Sequence, residues 1–184
     1  MVEDGVGFKI SWIGFDGTGK AAALVKLGLV DTGEPDEANE APFSGAEIPG
    51  NWFILFANDF GFVSHERLAE LSGGCRVVAC QVHEGIMVSA SYAYENGRRL
   101  WELVHDAQES IDHLSVLGSP PPSFESIRQR ELQNQRTASG VDYIFDVPLE
   151  VAVDLCNYRH DKWRFNWGEP RFTKLVPAPR RLHS

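Results

Sequence analysis

The sequence predicts an α+β fold: a mostly antiparallel sheet of five to six strands, short helices packed against it, and an extended basic C-terminal tail. Three observations carry this expectation. Residues 75–106 read as a three-stranded meander, CRVVACQVH (75–83), IMVSASYAYE (86–95) and RRLWELVHD (98–106), joined through Glu84-Gly85 and Asn96-Gly97. Asn-Gly between two β-prone runs favours a type I′ turn, because both central residues must take positive φ. The run NWFILFAN (51–58) is apolar over strand length, as a strand buried on both faces requires. Segments with helical apolar spacing stand before and after these strands.

In chain order, GFKISWIGF (7–15) reads as a strand. Residues 19–28 follow as a short helix with Ala21, Leu24 and Val25 on one face and Gly28 as its stop. Residues 31–51 read as a loop that holds six acidic side chains and no basic one. Ser64 is an N-cap for a helix that turns Leu68 and Leu71 inward. After the meander, DHLSVLG (112–118) is a further strand, and Pro120-Pro121-Pro122 breaks the chain before a polar helix near 123–136. VDYIFDVP (141–148) reads as a strand. The helix after it carries Leu149, Ala152, Val153 and Cys156 as an apolar stripe, with Pro148 tolerated in its first turn. The expected organisation is one α+β domain over 1–163 and a basic, aromatic and Pro-containing tail over 164–184.

Charge is uneven along the chain. The formal net charge is −9, but residues 162–184 carry six basic side chains against Glu169 alone, a local +5 that leaves 1–161 at −14. An acidic body argues against non-specific nucleic-acid binding and suits a basic protein partner. The N-terminus lacks the basic start and apolar core of a secretory signal, and no apolar run is long enough to span a membrane. Cys75, Cys80 and Cys156 are odd in number and lack metal-type spacing, which predicts reduced thiols in a cytoplasmic protein.

Several motifs invite chemistry and fail on detail. Gly14-Phe15-Asp16-Gly17-Thr18-Gly19-Lys20-Ala21 matches a phosphate-binding loop, but Ala21 stands where a hydroxyl must hold magnesium. Asn58-Asp59-Phe60-Gly61 contains D-F-G without the other parts of a kinase, so Asp59 reads as the start of a turn. Four histidines precede an acid (His65, His83, His105 and His160), yet adjacent residues on a strand point to opposite faces and cannot pair side by side. No nucleophile elbow and no zinc motif is present, and no cofactor or metal is expected.

If both hairpins turn on two residues, Tyr92 faces Trp101 and Val88 faces His105. Gln81, Tyr92, Trp101 and His105 then share one face and form the candidate ligand-binding set. Apolar residues on both faces of the meander call for two covering layers, and the tail or a second copy of the chain could supply one of them. The leading functional reading is a non-catalytic binding protein, of which an immunity-like or antitoxin-like protein is one example. Asp36, Glu37 and Glu40 are its candidate partner-binding residues. The alternative is a small enzyme or ligand-binding domain that uses the Tyr92/Trp101/His105 face.

Overall fold

The computed structural model describes residues 7–179. Its nine strands are β1 (Lys9–Asp16), β2 (Leu29–Pro35), β3 (Phe43–Ile48), β4 (Trp52–Ala57), β5 (Arg76–His83), β6 (Val88–Glu95), β7 (Arg98–Asp106), β8 (Ser115–Gly118) and β9 (Thr173–Pro177). They form one sheet in the order β2-β9-β3-β4-β1-β5-β6-β7-β8, and every neighbouring pair is antiparallel. The α+β class and the meander therefore stand, but the sheet is larger than the expected five to six strands.

The additional strands come from two segments read as irregular. The acidic 31–51 stretch contributes β3 and most of β2. The expected tail contributes β9, which lies between β2 and β3 and belongs to the sheet. Arg180 and Arg181, the last basic residues assigned to that tail, lie outside the described residues. Gly45 in β3 fits this crowded corner because a Cβ there would stand 2.7 Å from Phe53 and 2.9 Å from Leu175.

Among the described residues four α-helices cover the sheet: α1 (Lys20–Leu27), α2 (His65–Leu71), α3 (Ser123–Thr137) and α4 (Asp146–Cys156). Strand alternation sends Ile13, Phe15, Phe53, Leu55, Val77 and Tyr92 to one face, where α1 and α2 pack. It sends Trp12, Ile54, Phe56, Val78, Cys80 and Leu103 to the other, under α3, α4 and the segment around Tyr158 and Phe172. The chain's own elements thus supply both covering layers that the two-sided apolar pattern demands.

Local signals account for much of this. Ser64 caps α2 by accepting a hydrogen bond from the Arg67 amide, and Leu68 and Leu71 are buried beneath it. Gly28 ends α1 in the left-handed region, but the buried face is Ala23 with Leu24 and Leu27 beside it, whereas Ala21 and Val25 are exposed. Asp59 opens a 3-10 turn by accepting from Gly61 N at 2.8 Å. Residues 141–145 are not a strand; they are a turn that leads into α4, where Asp142 accepts from the Phe145 amide at 3.1 Å. Pro148 sits in the first turn of α4 as expected.

The meander departs from its expected register at the first turn and at a bulge beyond the second. Asn96 and Gly97 take φ of 49° and 79°, the backbone a type I′ turn needs. The first connection, however, is a 3-10 turn over Glu84–Ile86, so His83 pairs with Val88 rather than Ile86. In the second hairpin Tyr94 pairs with Arg99 and Ala93 with Trp101, which leaves Leu100 as an unmatched bulge residue.

Candidate functional site

That one extra residue redistributes the candidate ligand-binding set. Beyond the bulge Tyr92 pairs with Glu102 and Ser89 with His105. Gln81 and Tyr92 lie on the α1/α2 face, whereas Trp101 and His105 lie on the α3/α4 face. The expectation that all four share one face is corrected, because a one-residue shift exchanges every subsequent side chain between faces.

Each half of the set has partners of its own. Tyr92 donates to Gln81 Oε1 at 2.7 Å, and Gln81 Nε2 donates to the carbonyls of Phe60 (2.8 Å) and Val63 (3.1 Å). The pair holds the 3-10 turn against the sheet. Burial pushes the Tyr92 phenol well above its ordinary range, and the Glu102 carboxylate pushes it in the same direction. On the other face His105 is fully buried, with Nδ1 2.7 Å from the His113 carbonyl and Nε2 2.8 Å from Asp142 Oδ2. It ties β7 to the turn before α4, and Trp101 packs into the same core.

Trp101 also borders an opening of about 430 Å³ together with Arg76 and Arg99, but a wider one lies away from all four residues. A cleft of about 1090 Å³ separates the β2–β3 loop, with Glu37 and Asn39 at its lip, from residues 158–173 of the C-terminal segment. The loop keeps its shape through Asp36, whose two carboxylate oxygens accept from the amides of Glu40 (2.9 Å) and Ala41 (3.1 Å). Asp36 is therefore occupied by its own loop, while Glu37 and Glu40 stand exposed.

The opposite wall starts from a partly buried ion cluster. Arg159 donates to Asp146 (2.6 Å), Glu150 (2.7 Å) and Asp161 (2.8 Å), which fastens residues 159–161 to α4. Burial opposes the Arg159 charge, but Asp146 and Asp161 outweigh it and raise its affinity for the proton. Next to this clamp, His160 meets the edge of Phe8 with ring centroids 4.8 Å apart. Both its ring nitrogens are shielded from solvent, and neither has a hydrogen-bond partner among the described residues. Desolvation pushes His160 down to about 4; Asp161 opposes that shift and Arg159 adds to it.

Farther along the wall, Arg164 stacks 5.1 Å from the Trp163 ring centre and pairs with Glu169 at 3.0 Å. Lys162 and Arg171 are exposed at the cleft, and neither has an ion-pair partner among the described residues. The sequence shows this segment as a basic, aromatic tail and not as one wall of a cleft. Its signals were the His160-Asp161 dipeptide and the alternation of aromatic and basic residues in KWRFNWGEPRF, but nothing local says that the segment faces the acidic loop.

Among the described residues, nothing in the cleft assembles a nucleophile with a base. Cys80 and Cys156 are buried and unbridged; desolvation pushes the Cys156 thiol up to about 12 and raises Cys80 as well, so both stay protonated. A carboxylate–imidazole–phenol row does exist at α2, where His65 Nδ1 lies 2.8 Å from the Tyr94 hydroxyl and Nε2 3.5 Å from Glu102. His65 is largely exposed there, and the cleft does not reach the row. Lys20 of the glycine-rich turn is ion-paired with Asp31; burial opposes the Asp31 charge, but the Lys20 contact and the Gly33 amide lower its pKa overall. Among the described residues no three histidine, cysteine or acidic side chains converge as a metal site, and no helix is long and apolar enough to cross a membrane.

No protein-family model, curated protein or solved structure matches this chain.

Proposed function

We infer that this chain is a non-catalytic binding protein whose recognition site is the cleft between the β2–β3 loop and residues 158–173. The observation that carries the reading is the placement of free charge. Glu37 and Glu40 project from a loop braced by Asp36, opposite a separately anchored wall, while Gln81, Tyr92 and His105 of the sheet are engaged in internal contacts. A basic protein partner is steered to the acidic lip, and its association weakens as salt rises. An immunity-like or antitoxin-like protein is an example of this class.

The test is capture of partners by the tagged chain from its own cell lysate at low and high salt, repeated with Glu37→Lys/Glu40→Lys. The expected result is a stoichiometric basic protein that salt releases and the double variant captures about tenfold less well. Capture that ignores both salt and the double variant overturns the reading. A small-ligand reading also has support, from the interior of the same cleft.

A further inference from the structure

We propose that the inner wall of the cleft, at Phe8, His160, Lys162, Trp163 and Arg171, binds a small anionic ligand with a flat aromatic body. The proposal rests on the reading of this cleft as the recognition site, and it assigns the wall opposite the acidic lip.

Size, charge and hydrogen-bonding capacity agree on that ligand class. A cleft of about 1090 Å³ can admit a molecule of nucleotide or drug size. Its wall presents two aromatic surfaces to solvent, Phe8 at 39% and Trp163 at 69% exposure, and a flat ring gains contact against either. The anionic side chains along this wall are already engaged: Asp161 receives Arg159, and Glu169 receives Arg164. Lys162 and Arg171 are left as the cations available to a carboxylate, phosphate or sulfonate group.

His160 supplies the third element. An enclosed imidazole ordinarily satisfies both nitrogens with protein or ordered water. Here neither nitrogen has a partner among the described residues, the ring lines the cleft, and Phe8 packs against it in a T-shaped contact with ring centroids 4.8 Å apart. Both nitrogens are closed to solvent, so a ligand reaches them only when the imidazole or Phe8 shifts. The neutral ring then offers one donor and one acceptor without adding charge. His160, Lys162 and Arg171 line one cleft beside exposed aromatic surface, a composition small-molecule sites share.

The probe is 8-anilinonaphthalene-1-sulfonate, an aromatic anion, titrated into the full-length chain and followed by its own fluorescence and by quenching of tryptophan emission. Saturable binding at one site per chain is expected. Lys162→Glu/Arg171→Glu should weaken it by about tenfold or more, since contacts to charged groups are lost. Trp163→Phe should remove most of the tryptophan quenching, and His160→Phe should weaken binding while the charge of the wall is kept. Competition by adenosine monophosphate or by indole-3-acetate then separates a phosphate from a carboxylate headgroup. Circular dichroism and the unfolding midpoint of each variant show that it is folded.

No saturable binding, or equal binding by the folded Lys162→Glu/Arg171→Glu variant, overturns the proposal. The two readings of the cleft fail separately. Partner capture that depends on Glu37 and Glu40 without dye binding removes only the ligand. Dye binding that depends on Lys162 and Arg171, with partner capture indifferent to Glu37 and Glu40, removes only the basic partner.

Discussion

His105 and His160 are both enclosed by the fold, yet the protein treats them in opposite ways. His105 has an acceptor at each ring nitrogen, the His113 carbonyl and the Asp142 carboxylate, and lies on the α3/α4 face of the sheet. His160 has no hydrogen-bond partner at either nitrogen among the described residues and lies at the wall of a cleft. A buried polar group with all its partners holds elements together. One without partners is a standing destabilisation, which a ligand can relieve. The same residue type thus makes a structural joint in one region and, on the proposed reading, a binding group in the other.

The largest expected effect comes from breaking the joint. His105→Phe keeps a ring in place but leaves the Asp142 carboxylate and the His113 carbonyl without their partner in a nearly closed site. Stranding a buried charge, here the Asp142 carboxylate, destabilises by about 3–5 kcal/mol. Urea denaturation should give that loss for His105→Phe, and His105→Phe/Asp142→Asn should recover part of it because the stranded charge is gone. A loss below about 1 kcal/mol in the single variant would mean that the contact is not a joint.

The dependence of stability on pH should come next in size. His160 titrates near 4 in the folded chain against an ordinary 6.5. Above about pH 6.5 the ring is neutral in both states and contributes nothing to the pH dependence. As pH falls below that value the unfolded chain takes up a proton that the folded chain refuses until about pH 4, so stability is lost across this window. The loss approaches about 3 kcal/mol. Asp146 works in the opposite sense: burial raises its carboxyl even against Arg159, so protonation there favours the folded chain as pH falls. The difference between the native chain and His160→Phe isolates the histidine. That difference should grow from pH 6.5 to pH 4 and stay flat above 6.5, and a flat difference throughout would show that the ring titrates freely.

The contrast between the two histidines was only half legible in the sequence, and the reason lies in strand parity. The first meander turn is two residues longer than expected, which shifts His83 from Ile86 to Val88 and leaves every face unchanged. The second hairpin differs by a single bulged residue, Leu100, and that sends Trp101 and His105 to the other side of the sheet. Asn96-Gly97 announces its turn plainly; nothing in RRLWELVHD announces the bulge.

Nonlocal pairing explains the strands that went unread. β2, LVDTGEP, is a polar edge, and its inner neighbour β9 comes from the far end of the chain, where Lys174 O accepts from Thr32 Oγ1 at 2.9 Å across 142 residues. Local periodicity carries no record of such a pairing. In the other direction, DYIF looked like a strand because short apolar runs are ambiguous; in the fold Ile144 and Phe145 are core residues of a turn. The acidic loop and the aromatic-basic segment were each visible alone. Their meeting across one cleft depends on β9 entering the sheet between β2 and β3.

The smallest expected effect is also the sharpest test of the contrast. At neutral pH, His160→Phe removes two unpartnered nitrogens and leaves an aromatic ring against the edge of Phe8. No carboxylate is stranded by the change, because the cationic partner of Asp161 is Arg159. The relief from removing unsatisfied polar atoms offsets the strain of a slightly larger ring, so stability should change by less than about 1 kcal/mol. One substitution, His to Phe, is then severe at 105 and nearly silent at 160, even though both rings are enclosed. If His160→Phe instead destabilises by as much as His105→Phe, the ring at 160 is a structural joint like the one at 105, and the cleft loses the polar group that would orient a ligand.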